Sequence, residues 1–171
     1  LFVSHGSPMI VLDESPARTF LERFACDLPR PKAIVVASAH YEAPGPSLSG
    51  GQAPRTIHDF GGFPAALYGV QYPAPGAPQI ARRAAALLAA SGFSPLIDPD
   101  RGLDHGVWTP LKLIYREADI PIVAMSVDPT RTPQWHYDVG VALRPLRAEG
   151  VMIIGSGSAT HNLGEYFAPR A

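Results

Sequence analysis

The chain has 171 residues, enough for one domain with a sizeable core. It is 46% hydrophobic and 17% charged with a formal net charge of -1, a balance that excludes a basic footprint for nucleic acid or an anionic membrane surface. A single cysteine, Cys26, excludes an internal disulfide and suits a reducing, cytoplasmic compartment. It falls within a helical pattern and reads as a small packing residue. No apolar stretch approaches the roughly 20 residues of a membrane span, so the expectation is a chain without a transmembrane segment or signal peptide.

Leu1 to Ser4 reads as a short strand, and His5-Gly6-Ser7-Pro8 follows as a turn in which backbone can approach a ligand closely. Pro16, with Ser15 as N-cap, opens a helix along which Phe20, Leu21, Phe24 and Leu28 recur at helical spacing. Ala33 to Ala37 is apolar without alternation and β-branched at its centre, as in a strand buried on both faces of a parallel sheet. It gives way to Ser38-Ala39-His40. The first unit is therefore a βαβ unit with His5 and His40 at strand C-termini, and parallel neighbours would bring those ends together.

Tyr41 to Tyr72 is long and rich in Gly and Pro, with Ser47 to Gly51 as a candidate strand. Its segment from Thr56 to Pro64 sets His58, Asp59, Phe60 and Phe63 among glycines, which suggests a wall or lid over a pocket. Ala77 to Ser91 is a helix with Ile80, Ala84, Leu87 and Leu88 on its apolar face, Arg82 and Arg83 towards solvent, and Gly92 as its stop. Phe93 to Ile97 reads as a strand, Leu103 to Trp108 as a loop carrying His105, and Thr109 to Tyr115 as a helix. Pro121 to Val127 is another apolar strand, Gln134 to Glu149 an amphipathic helix, and Val151 to Ile154 the last strand, running into Gly155 to Asn162. Strands alternating with helices, without repeat or linker, predict a single α/β domain: a largely parallel central sheet with helices on both faces.

Of the six histidines, His5, His40 and His161 each come directly after an apolar strand, while His58 and His105 sit in glycine-containing loops. His136, between Trp135 and Tyr137, reads as a surface or half-buried helix residue. Open α/β sheets bind ligands outside the carboxyl ends of their strands. Three imidazoles converging there would suit Zn, Fe, Cu or Ni, although polar residues that merely cap the sheet show the same pattern.

Five segments carry more information together than singly. They are Ser4-His5-Gly6-Ser7-Pro8, Ser38-Ala39-His40-Tyr41, His58 to Pro64, Leu103 to Trp108 and Gly155 to Leu163. In order and content they resemble the signature segments of the class III extradiol ring-cleavage dioxygenases, in the LigB-related, DOPA 4,5-dioxygenase-like branch. The resemblance implies that residues 1–171 form a catalytic domain lacking the family's C-terminal segment. It implies an enzyme that opens the ring of a small-molecule catechol with O2, with His5, His40 and His161 holding a divalent metal. His105 would be the acid/base, taking a hydroxyl proton from the catechol and later returning it. His58 would be a pocket residue, and Phe60 and Trp108 are candidates to contact the ring, with core packing as the competing role. The metal would be Fe(II) or Zn(II): ring cleavage in the family uses Fe(II), and three histidines also suit a catalytic zinc. Better-studied relatives use two histidines and a glutamate, so Glu165 is the alternative to His161. The competing readings are a zinc-dependent hydrolase, which would consume no oxygen, and a non-enzymatic binding protein on the same fold. A serine nucleophile at Ser156 or Ser158 is disfavoured because the strand-turn-helix elbow is not completed.

Overall fold

The computed structural model describes residues 1–158. Six strands, β1 (Phe2–Ser4), β2 (Ala33–Glu42), β3 (Ser47–Ser49), β4 (Leu96–Asp98), β5 (Ile122–Val127) and β6 (Val151–Gly157), form one sheet in the order β1-β6-β2-β5-β3-β4. All neighbouring pairs are parallel except β3 with β5, so the short β3–β4 pair runs against the rest. The helices are α1 (Pro16–Phe24), α2 (Ala65–Tyr68), α3 (Pro78–Ala90), α4 (His105–Ile114), α5 (Pro133–Leu143) and α6 (Pro145–Ala148).

The unbroken apolar run of β2 has the consequence its composition dictates. Successive side chains point to opposite faces of a strand, so Ile34 and Val36 join a core with Leu21, Val107 and Leu111 from α1 and α4. Ala33 and Val35 join the opposite core, with Ala84, Leu88, Leu143 and Leu146 from α3, α5 and α6. Ile34, Val35 and Val36 are all fully buried, each contributing roughly 1.5–3 kcal/mol relative to exposure. Helices thus cover both faces, and the sheet's carboxyl edge is left for the loops.

Several expectations are corrected. β6, the last strand among the described residues, inserts between β1 and β2, so the strands carrying His5 and His40 are not neighbours. β2 continues through His40 to Glu42, with a register shift against β5 after Ala37 that lets the strand go on beyond its apolar run. His105 is not in a loop but is the first residue of α4. The predicted helix over 134–149 is divided, because Pro145 cannot continue the hydrogen-bond ladder and starts α6 instead. Phe20 is 61% exposed, so it is not on the buried face of α1. Cys26 is exposed in a 3-10 turn after α1 rather than packed. His136, by contrast, is half-buried on α5 as expected, and it ties the preceding connection down: its Nε2 accepts from the Asp128 backbone N–H and its Nδ1 donates to the Thr132 carbonyl.

Candidate active site

Three elements bring three imidazoles to the carboxyl edge of the sheet. His5 follows β1 directly, and Gly6 takes a left-handed φ of +62°, turning the chain away at once. His40 reaches in from the end of β2, and His105 from the first turn of α4. Strands two apart in a sheet are separated by roughly 9–10 Å, so the side chains must close the gap. They do: Nε2 of His5 and Nε2 of His40 are 3.0 Å apart. The His40 and His105 rings lie 3.8 Å apart between centroids, and His5 meets His105 edge-on at 5.3 Å. One ring nitrogen from each of His5, His40 and His105 falls within 4.8 Å of the other two.

This donor set suits a transition metal. Two imidazole nitrogens bound at about 2.0–2.1 Å to one ion, nearly at right angles, stand about 3 Å apart. His5 is 1% exposed and His105 is 7% exposed, so any ion between them would be partly shielded from water. His161 and Glu165, the expected third ligand and its alternative, lie outside the described residues.

The start of α4 is built to hold His105. Leu103 pairs with the 55–57 segment, its N–H donating to the Arg55 carbonyl and its carbonyl accepting from the Ile57 N–H. That register carries Asp59 to the helix start. Asp59 Oδ1 accepts from the His105 backbone N–H and its Oδ2 from the His105 ring Nδ1, both at 2.9 Å. One carboxylate therefore caps the helix and orients the imidazole. Burial opposes ionisation of Asp59, but the hydrogen bonds from the His105 ring and backbone outweigh it and hold the carboxyl below its ordinary range. With Nδ1–H committed to a carboxylate, the lone pair of a neutral His105 lies on Nε2, the arrangement of a general base or of a metal ligand.

Asp104 precedes α4 but does not cap it with its side chain. Its fully buried carboxylate accepts from Ser38 Oγ and pairs with Arg101, both at 2.6 Å. Ser38 Oγ also accepts from the His40 backbone N–H. This network joins the end of β2 to the start of α4, and so His40 to His105. It leaves no room at Gly106, where an added Cβ would stand 2.3 Å from Ser38 Oγ and 3.1 Å from the His40 ring.

The aromatic residues of the 56–64 segment gather with His58 beside His105. Phe60 packs edge-on against His105 at 5.6 Å and touches His58, Phe63, Tyr68 and Trp108. His58 donates from Nε2 to the Val70 carbonyl at 2.9 Å. Trp108 is fully buried, with its indole N–H donated to the Ile57 carbonyl, so it packs against this group rather than facing solvent. Nothing in the motif pattern assigns Asp59 a partner, although an acid set between a histidine and aromatics is the local signal for one. Ser156, disfavoured as a nucleophile on its sequence context, has a different setting. Its hydroxyl is buried between the His5 ring and the Gly106 carbonyl.

Fold and site together define an α/β protein with a histidine cluster, able to hold a metal ion, at the carboxyl edge of its sheet. The chain belongs to the family of the catalytic LigB subunit of aromatic ring-opening dioxygenase, whose model matches residues 1–170. It is 51% identical over 164 residues to a 4,5-DOPA dioxygenase extradiol of Beta vulgaris, covering 94% of this chain and 61% of that protein. To the 4,5-DOPA dioxygenase extradiol of Escherichia coli (strain K12) it is 45% identical over 164 residues, covering 95% of this chain and 60% of that protein. A crystal structure of an uncharacterized protein from Escherichia coli K12 superposes with a TM-score of 0.78 at 36% identity, covering 98% of this chain and 64% of that one. The chain thus spans about three fifths of the length of these two curated relatives.

Proposed function

We propose that this chain carries the catalytic centre of an extradiol dioxygenase that opens the ring of a catechol with O2, a DOPA-like catechol being the first substrate to test. The observation that supports it most is the 3.0 Å approach of His5 and His40, beside a histidine whose other nitrogen is held by a carboxylate. In this reading His5, His40 and His161 hold the metal, and Fe(II) is the ion for ring cleavage. When bound, the ion would supply Lewis acidity towards the catechol oxygens. His105 Nε2 takes the remaining hydroxyl proton, and Asp59 stabilises the imidazolium this creates. Phe60 and His58 face the substrate ring, with Trp108 backing them.

The clustering of His105 with His5 and His40 favours a second assignment, in which His105 is itself the third ligand. A zinc hydrolase is disfavoured by the names of the relatives. The deciding experiment loads purified full-length protein anaerobically with Fe(II) and screens catechols in an oxygen electrode. Stoichiometric oxygen uptake with a semialdehyde chromophore is expected, and ester or amide cleavage without oxygen uptake would overturn the reading. His105→Ala separates the assignments: a base variant keeps its metal and loses turnover, whereas a ligand variant loses both.

A further inference from the structure

Ser156 lies on β6, the strand inserted between those that carry His5 and His40. It is 4% exposed, and its hydroxyl touches two groups: Oγ stands 2.9 Å from Nδ1 of His5 and donates to the Gly106 carbonyl. The second contact has a cause in the sequence. In an α-helix the Gly106 carbonyl would accept from the N–H of the residue four positions on. That residue is Pro110, inside α4, which has no N–H to give. The Ser156 hydroxyl fills the place that the proline leaves.

A serine hydroxyl has one proton. Since it goes to Gly106, Ser156 Oγ can only accept from the imidazole, so His5 Nδ1 must carry the hydrogen and Nε2 the lone pair. Nε2 is the atom that stands 3.0 Å from Nε2 of His40. We infer that Ser156 is a positioning residue: through the carbonyl orphaned by Pro110, it locks His5 in the tautomer whose Nε2 lone pair points at the metal position. This rests on the proposed role of His5 as a ligand and adds what sets its tautomer. It also gives the buried hydroxyl a purpose other than nucleophilic attack, because its proton and its lone pair are both engaged.

The test uses full-length protein with 15N-labelled histidine, stripped of metal, at about pH 8, where a histidine of ordinary pKa is neutral. Long-range proton–nitrogen spectra report which nitrogen of each ring carries hydrogen, and His5→Gln assigns the signal. The parent is expected to show His5 protonated on Nδ1. Ser156→Ala should move His5 towards the Nε2-protonated form and weaken Zn(II) binding, measured by chelator competition, by about 10- to 100-fold. Ser156→Thr keeps the hydroxyl and should restore the tautomer, even if its methyl group lowers the melting temperature. The inference fails if the parent is protonated on Nε2, or if Ser156→Ala leaves the tautomer unchanged and Zn(II) affinity within about twofold. The tautomer readout needs neither iron nor substrate, so a parent that shows the expected tautomer but no oxygen uptake would sink the dioxygenase reading and leave this one standing.

Discussion

At the scale of single residues, the chemistry of the site depends on what holds the nitrogen of each imidazole that faces away from the cluster. Asp59 occupies Nδ1 of His105, and Ser156 occupies Nδ1 of His5. In both cases the neutral ring is left with its lone pair on Nε2. The two partners differ in charge, however. An anionic partner balances the charge that arrives when its imidazole takes up a proton during turnover. A hydroxyl fixes the tautomer without adding charge, which suits a ligand that must stay neutral. Asp59→Asn tests the first half of this distinction. It keeps the shape but removes the charge that stabilises imidazolium, and kcat with a catechol is expected to fall on the order of 100-fold. Steady-state kinetics, with metal content measured on the same samples, would show it; an unchanged kcat would leave Asp59 with only its helix-capping role.

At the scale of elements, α4 is the part to which the rest of the site is fitted. Its first residue is His105, its second is Gly106, and its sixth is Pro110. Glycine and proline are both poor helix formers, yet each has a local reason here. Gly106 lets β2 approach the helix start, and Pro110 leaves a carbonyl for Ser156. Replacing Gly106 with Ala would gain up to about 1 kcal/mol of helix propensity. Against that, the new methyl group would meet Ser38 Oγ at 2.3 Å within a buried network. Overpacking of this kind costs about 1–3 kcal/mol, so the clash outweighs the propensity. Gly106→Ala is expected to lower the urea midpoint and to weaken metal binding together, since His40 is displaced with Ser38. A more stable variant with intact metal affinity would show that the network yields easily.

At the scale of the whole molecule, stability against acid should depend on carboxylates whose partners exist only in the fold. Asp128, after β5, accepts from the Thr130 hydroxyl and the Gly45 N–H, and these bring its pKa down to about 2. A carboxyl depressed by folding contributes stability above its unfolded pKa of about 3.9, and that stability is lost as pH falls through the folded value. Asp59 is shifted in the same direction. Asp128→Asn is therefore expected to be less stable than the parent at neutral pH, with the gap closing towards pH 2. Chemical unfolding across that range would reveal it, and a gap independent of pH would refute the linkage.

The architecture was legible because burial writes itself into local composition. Ala33 to Ala37 and Pro121 to Val127 are apolar without alternation because helices cover both faces of their strands, and the turn after β1 is marked by Gly6 and Pro8. Motif order likewise singles out His5, His40 and His161 as expected ligands and His105 as the expected acid/base, and of these His5, His40 and His105 come together among the described residues. Strand order was not legible, since nothing local in Val151 to Gly157 says that β6 will enter between β1 and β2. The partners of the imidazoles were hidden for the same reason. Asp59 is 46 residues from His105 and Ser156 is 151 residues from His5. A residue's type is chosen by its own surroundings, whereas a tautomer or a proton's resting place belongs to a pair, and such pairs form only when distant parts of the chain pack together.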